Sequence, residues 1–319
     1  MTAVRRLARI DLVTADPLRL TAFFTVLGFV PAGTAHRFAD GATRLDLRLG
    51  GQVIGLLRPA RPGAPYPPDV PGWSPCFQHI AIVVSDIGAG YNQLQAATGW
   101  TAISTHGPQT LPDASGGVTA FKFRDPEGHP VELIAFPGGR APDAWRRPAA
   151  GEIFLGVDHS AISVADTRRS VIFYEDLGLE RVGGTVNFGP EQARLDAVLR
   201  PTVEVTALSP SREPTPHLEL LDYRGALART AGMPAPDDIA ATRLVFVIET
   251  AVQQAGMGLR PTTLHDPDGH LIVLEARGFL PPLHEERGDI DKMQYPCQSA
   301  NSPAFGFDRW PNRSRRSNC

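Results

Sequence analysis

An internal repeat constrains this chain more than any other feature. Phe23-Phe24-Thr25-Val26-Leu27-Gly28-Phe29 returns 150 residues later as Phe173-Tyr174-Glu175-Asp176-Leu177-Gly178-Leu179, and Asp16 and Asp166 keep the same offset. Asp125-Pro126-Glu127-Gly128-His129 returns 141 residues later as Asp266-Pro267-Asp268-Gly269-His270. A third likeness joins QHIAIVVSD (78–86) to DHSAISVAD (158–166) and aligns His79 with His159. Self-similarity of this kind means that one supersecondary unit is used several times.

The pieces order into four units, at roughly 7–60, 77–137, 155–225 and 241–281. Each opens on an alternating apolar strand, such as His79-Ile80-Ala81-Ile82-Val83-Val84, the period that half-buries a strand. Asp86 and Asp166 follow where a short carboxylate accepts the free N–H groups of a first helical turn. Val171, Phe173, Tyr174 and Leu177 then give a helical stripe, and Gly178 is placed to stop it. Asp125-Pro126-Glu127-Gly128 is a turn, because Pro presets φ and Gly accepts a positive φ; it joins strands at Thr119–Phe123 and Pro130–Phe136. Each unit therefore reads β-α-β-β-β. The fourth is shorter, with a stunted helix at about Ala251–Met257. Pro/Gly-rich linkers run from Arg58 to Pro75 and from Pro137 to Gly151. The fold class is α+β, with two module pairs at 7–140 and 153–281. Residues 282–319 lose apolar periodicity and read as a loose, disordered tail.

Composition narrows the function. At about 150 residues per domain, 319 residues make two domains. A net charge of −3 leaves no electrostatic footprint for nucleic acid. No apolar run reaches the roughly 18–20 residues of a membrane helix. The opening MTAVRRLARIDLVTADP has no apolar core for a secretory signal, so a cytoplasmic location is expected. Cys76, Cys297 and Cys319 are odd in number and lack metal spacing, which argues against a disulfide framework and a thiol nucleophile.

The helix end FYEDLGL (173–179), the turn and strand FRDPEGHPVELIAF (123–136), the strand FQHIAIVVSD (77–86) and the strand HLELLDY (217–223) carry a resemblance. Together, and in this order, they resemble the vicinal oxygen chelate superfamily, which includes glyoxalase I, bleomycin- and fosfomycin-resistance proteins and extradiol dioxygenases. The resemblance spans about 7–280 and is weaker in the outer units. It implies paired modules curled around a cleft, with metal ligands on the first and last strand of each module in a pair.

Carried over residue by residue, the ligand positions are His79 and Glu132 in the second unit and His159 and Glu219 in the third. In the outer units they fall on Arg9, Gly55 and Val273, and the strand Arg243-Leu244-Val245-Phe246 has no histidine. Two pairings are open. Pairing in chain order, the usual habit of neighbouring elements, gives each domain one His and one Glu. Pairing the second unit with the third (77–137 with 155–225) gathers two imidazoles and two carboxylates, a complete set, and is preferred. Imidazole with carboxylate suits Zn²⁺, Ni²⁺, Fe²⁺ or Mn²⁺. No organic cofactor is expected.

Plainer readings accompany each residue. A strand histidine is more often a hydrogen-bonded core residue than a ligand, and alternation alone can turn Glu132 and Glu219 to solvent. His129 and His270 support their turns. Lys122 and Arg124 bind an anionic substrate or lie on an exposed strand face. Gly107–Pro112 rims the cleft, and Gly116-Gly117 marks a mobile loop. The resemblance implies a metal-dependent glyoxalase-like lyase or isomerase acting on a small molecule with adjacent oxygens, in which Glu132 or Glu219 moves a proton. The alternatives are an extradiol ring-cleavage dioxygenase and a non-catalytic small-molecule-binding or resistance protein. Oligomeric state leaves no mark in the sequence.

Overall fold

The computed structural model describes residues 3–210, 215–225, 233–249 and 261–276. The expected helix at Ala251–Met257, the expected tail at 282–319, and Cys297 and Cys319 within that tail lie outside these residues.

The first unit contains β1 (Ala3–Val13), α1 (Pro17–Val26), β2 (Val30–Pro31), β3 (His36–Arg37), β4 (Thr43–Leu49) and β5 (Gln52–Arg58). The second contains β6 (Gln78–Val84), α2 (Ile87–Gln95), β7 (Thr101–Ala102), β8 (Gln109–Thr110), β9 (Thr119–Arg124) and β10 (Pro130–Ala135). The third contains β11 (Phe154–Ser163), α3 (Thr167–Asp176), β12 (Leu179–Phe188), α4 (Pro190–Asp196), β13 (Thr202–Pro210) and β14 (His217–Tyr223). The fourth contributes β15 (Arg243–Glu249), β16 (Thr262–His265) and β17 (Leu271–Ala276).

Helix starts follow from local chemistry. Asp16, Asp86 and Asp166 each accept a backbone N–H three residues on, from Arg19, Ala89 and Arg169, at 2.7–3.0 Å. Gly28 and Gly178 follow the helix ends with φ of 84° and 97°, a conformation that costs a residue with a Cβ.

The strands form two mixed sheets, and the backbone pairing crosses the midpoint of the chain. One sheet runs β16-β17-β15-β1-β5-β4-β2, with β3 against β4. The other runs β12-β13-β14-β11-β6-β10-β9-β7, with β8 against β9. The first unit thus shares a sheet with the fourth, and the second with the third. At the centres, β1 pairs antiparallel with β15 and β11 with β6. Both central strands are interrupted at matching places, Val4/Arg6 and Leu7/Arg9 in one and Phe154/Gly156 and Val157/His159 in the other.

Alternation then sorts side chains. Ile80, Ile82, Val131, Leu133, Leu218 and Leu220 enter the main core with Phe24, Phe121 and Tyr174. His79, Glu132 and Glu219, at alternate positions of the same strands, turn to the opposite face, where they line a cavity. Beyond the support of their own turns expected of His129 and His270, the Asp-Pro-x-Gly-His turns also brace one unit against another. Glu127 accepts the backbone N–H of Ala15 and Asp16, and His129 Nε2 meets Val13 and Ile239 carbonyls at 3.0 and 3.1 Å. Asp268 accepts Ala165 N–H, and His270 Nε2 meets the Ser163 carbonyl at 2.9 Å. Gly116 and Gly117 close a hydrogen-bonded turn onto Asp113 and Pro112.

Candidate metal centre

The second sheet brings His79 from β6, Glu132 from β10 and His159 from β11 together. One ligand atom of each lies within 4.8 Å of the other two. His79 Nε2 stands 2.9 Å from Glu132 Oε2, and His159 Nε2 stands 3.8 Å from the same oxygen. No hydrogen bond closes on His79 Nε2, His79 Nδ1 or His159 Nε2, although all three are buried. A buried polar atom without a partner is uncommon and calls for an explanation. Here two such nitrogens flank one carboxylate oxygen, the arrangement a divalent cation would satisfy, and the donor types fit one. Glu219, the fourth expected ligand, lies beside the group: its Oε2 is 3.5 Å from His159 Nε2.

Two further residues enter that the sequence reading did not single out. Asp158 occupies the irregularity between Val157 and His159, so the adjacent Asp158 and His159 both line the cavity instead of pointing to opposite faces. Irregularities of this kind re-aim side chains. The Asp158 carboxylate meets His159 Nδ1 at 3.0 Å and accepts Trp145 Nε1–H at 2.7 Å. Histidine ligands commonly donate their second N–H in this way. His217 opens β14 directly beside His159, with Nε2 3.6 Å from Glu219 Oε1. Its signal was present in HLELLDY; that of Asp158 was not, because cross-strand register creates it.

Electrostatics separate the two histidines. Burial pushes the His79 pKa down, and nearby Lys122 adds to this, so the ring is neutral and keeps a free lone pair. Burial also opposes charge on His159, but the nearby Glu219, Asp158 and Glu132 carboxylates outweigh it and hold its pKa well above the usual range. Burial disfavours ionised Glu132, yet Lys122 and the two histidines hold its carboxyl well below the usual range. Glu219 is likewise lowered against its burial, chiefly by His159.

Lys122 is not on an exposed face. It is buried, and its ammonium donates to Asp196 Oδ1 at 2.7 Å. Gln192 and Tyr223 also donate to the Asp196 carboxylate, at 2.6 and 3.0 Å. Arg124 is pinned elsewhere, donating to Gly128 and Val70 carbonyls while its guanidinium lies over Tyr66. Leu111, from the expected rim segment, lines the cavity. Cys76 is buried, and that burial pushes its thiol pKa up.

The outer units assemble no such group among the described residues. Arg9 pairs with Asp11 at 2.6 Å and with Glu275 at 2.8 Å. No helix among the described residues is long and apolar enough to cross a membrane.

Comparison with known proteins agrees with this architecture. Residues 6–133 match the model of the Glyoxalase/Bleomycin resistance protein/Dioxygenase superfamily. Among curated proteins, none matches the chain. Glyoxalase I from Zea mays is similar in structure, with a TM-score of 0.55 at 18% identity over 86% of this chain and 93% of that one. A putative dioxygenase from Bacillus subtilis subsp. subtilis str. 168 gives a TM-score of 0.53 at 13% identity over 86% of each chain. Residues 6–133 thus match the model of the glyoxalase/bleomycin resistance/dioxygenase superfamily, and 86% of the chain shares the fold of these two solved structures.

Proposed function

We propose that the protein is a metal-dependent lyase or isomerase of the glyoxalase type, acting on a small molecule whose two adjacent oxygens meet the His79–Glu132–His159 group. The observation that carries this reading is the pair of unpartnered imidazole nitrogens on either side of Glu132 Oε2. Zn²⁺, Ni²⁺, Fe²⁺ or Mn²⁺ suits these donors. Bound there, a divalent ion supplies Lewis acidity toward the substrate oxygens.

The chain's own groups do the rest. His79 offers a neutral ring, Glu132 a carboxylate fixed between two histidines, and Asp158 holds the orientation of His159. Glu219 stands outside the mutual group and keeps 21% of its side chain exposed, so it is the freer of the two carboxylates. Held ionised, it is the base that takes a proton from the carbon bearing one oxygen and returns it to the neighbouring carbon. Apolar walls limit water around that transfer.

A specific observation also favours a second reading. Two imidazoles and one carboxylate are the facial set of non-haem iron oxygenases, and the inner module pair supplies that set. An extradiol dioxygenase is therefore the alternative.

One experiment separates them. Purified protein is analysed for divalent metal, then assayed with and without dioxygen against hydrates of 1,2-dicarbonyl compounds and against catechols. Bound metal with oxygen-independent isomerisation of a dicarbonyl hydrate is the expected result. Catechol turnover only in oxygen favours the alternative, and protein that binds no divalent metal overturns both.

A further inference from the structure

The third unit carries an insertion that the repeat does not contain. Between β12 and β13, α4 crosses to the second unit and is pinned there. Thr105 N–H and Ser104 Oγ–H donate to the carbonyls of Arg194 and Leu195, both at 2.8 Å. Arg194 Nε–H donates to Gln109 Oε1 at 2.6 Å. Gln192 and Leu195 on this helix line the same cavity as the histidine group, so α4 walls one end of it.

That cavity has a volume of about 420 Å³, inside the range of small-molecule sites. Away from the histidines its walls carry an apolar surface, Leu111, Ile134 and Phe136 from one unit and Val182, Val203 and Leu195 from the other, interspersed with uncharged polar side chains such as Thr185, Asn187 and Ser209. Val182 is 61% exposed, an apolar side chain that a bound molecule would cover. Among the described lining residues Lys122 is the one Lys or Arg, and Asp196 consumes its charge. Among the described residues, the wall therefore gives a substrate carboxylate no free cation.

Two side-chain oxygens at that wall, Asn187 Oδ1 and Gln192 Oε1, are buried without a hydrogen-bond partner, and Gln192 is the one whose amide a neighbour holds in place. Gln192 is 4% exposed, and its Nε2 donates to Asp196 Oδ2. That bond fixes which amide atom is which, because a carboxylate accepts only from the NH₂ end. Gln192 Oε1 is buried without a hydrogen-bond partner. Leaving such an acceptor unmatched is costly, and a ligand N–H or O–H is its natural complement.

We propose that this cavity selects a compact, uncharged substrate, with its adjacent oxygens at the histidine group, an apolar body against the aliphatic walls, and one hydrogen-bond donor meeting Gln192 Oε1. The inference rests on the functional reading above and adds the substrate class to it.

The test uses full-length zinc-loaded protein and calorimetric titration with hydroxamates, whose two oxygens are adjacent. Benzohydroxamate is expected to bind at least tenfold more tightly than acetohydroxamate, as burial of a ring predicts. At least one of 3- and 4-hydroxybenzohydroxamate is expected to gain a further threefold, and Gln192→Leu to erase that gain. 4-Carboxybenzohydroxamate is expected to bind more weakly than benzohydroxamate. Equal binding of acetohydroxamate and benzohydroxamate, or preference for the carboxylate, overturns the inference even if Gln192→Leu does not fold. A hydroxyl gain that survives Gln192→Leu in folded protein overturns the role of Gln192. Protein that takes up no divalent metal, zinc included, overturns the functional reading and this inference with it, so the two failures are distinct.

Discussion

Arg9 and His159 hold the same register position in the two sheets: Arg9 faces Val245 across β1 and β15, and His159 faces Ala81 across β11 and β6. Where His159 reaches Glu132 and Glu219, Arg9 reaches Asp11 and Glu275. Asp11 fills the space that Gly55 leaves open, since a Cβ on Gly55 would collide with the Asp11 carboxylate. A guanidinium of the chain itself thus stands among carboxylates in the outer pair. Arg9→Met leaves two buried carboxylates without their cation, so it should lower stability by about 3–5 kcal/mol. Metal content should not change. Urea denaturation and metal analysis on the same preparation check both statements.

The turn histidine His129 gives a pH dependence. Its Nδ1 meets Asp125 Oδ2 at 2.8 Å and its Nε2 meets two carbonyls, so every partner is an acceptor and the ring is doubly protonated. Burial opposes that charge, but Asp125 outweighs it and the pKa is raised. A folded pKa above the unfolded value, about 6.5, gives stability that is full below that value and lost as pH rises through the folded pKa. His129→Gln should therefore lower the Tm most near pH 6. The gap to the wild-type protein should close steadily as the medium becomes alkaline. A gap that widens with pH would contradict the doubly protonated ring.

Asp158 orients His159 and is itself held by Trp145. Asp158→Asn removes the carboxylate with little change in shape. Loss of such an outer partner costs about 10–100-fold in metal affinity, and that is the drop expected in a chelator-competition titration. Trp145→Phe removes only one of the bonds to Asp158 and should cost less. Equal affinity in Asp158→Asn and wild-type protein would leave Asp158 with no positioning role.

Much of this was legible because the signals are local. Asp86 and Asp166 announce helix starts, and the Asp-Pro-x-Gly-His turns announce both hairpins and the histidines that brace them. Strand alternation around Val131-Glu132-Leu133 and Leu218-Glu219-Leu220 marks the carboxylates, although alternation alone leaves their side undecided. What escaped depends on distant partners. Asp158 joins the site only because the β11–β6 register slips beside it. Lys122 is buried because α4 delivers Asp196 to it, and a seven-residue helix is too short to show a period. In β17 the acidic side chain sits at Glu275, two residues beyond the equivalent position Val273, where it meets Arg9 instead of a second carboxylate group.

The proposed function stands on one metal site formed by His79, Glu132 and His159 on a single sheet. Divalent metal per chain, measured by elemental analysis of wild type, His79→Ala and His159→Ala, tests it most directly. One equivalent in the wild type and near-complete loss in each variant is the predicted result. No stoichiometric metal in the wild type, or independent half-losses in the two variants, would contradict it.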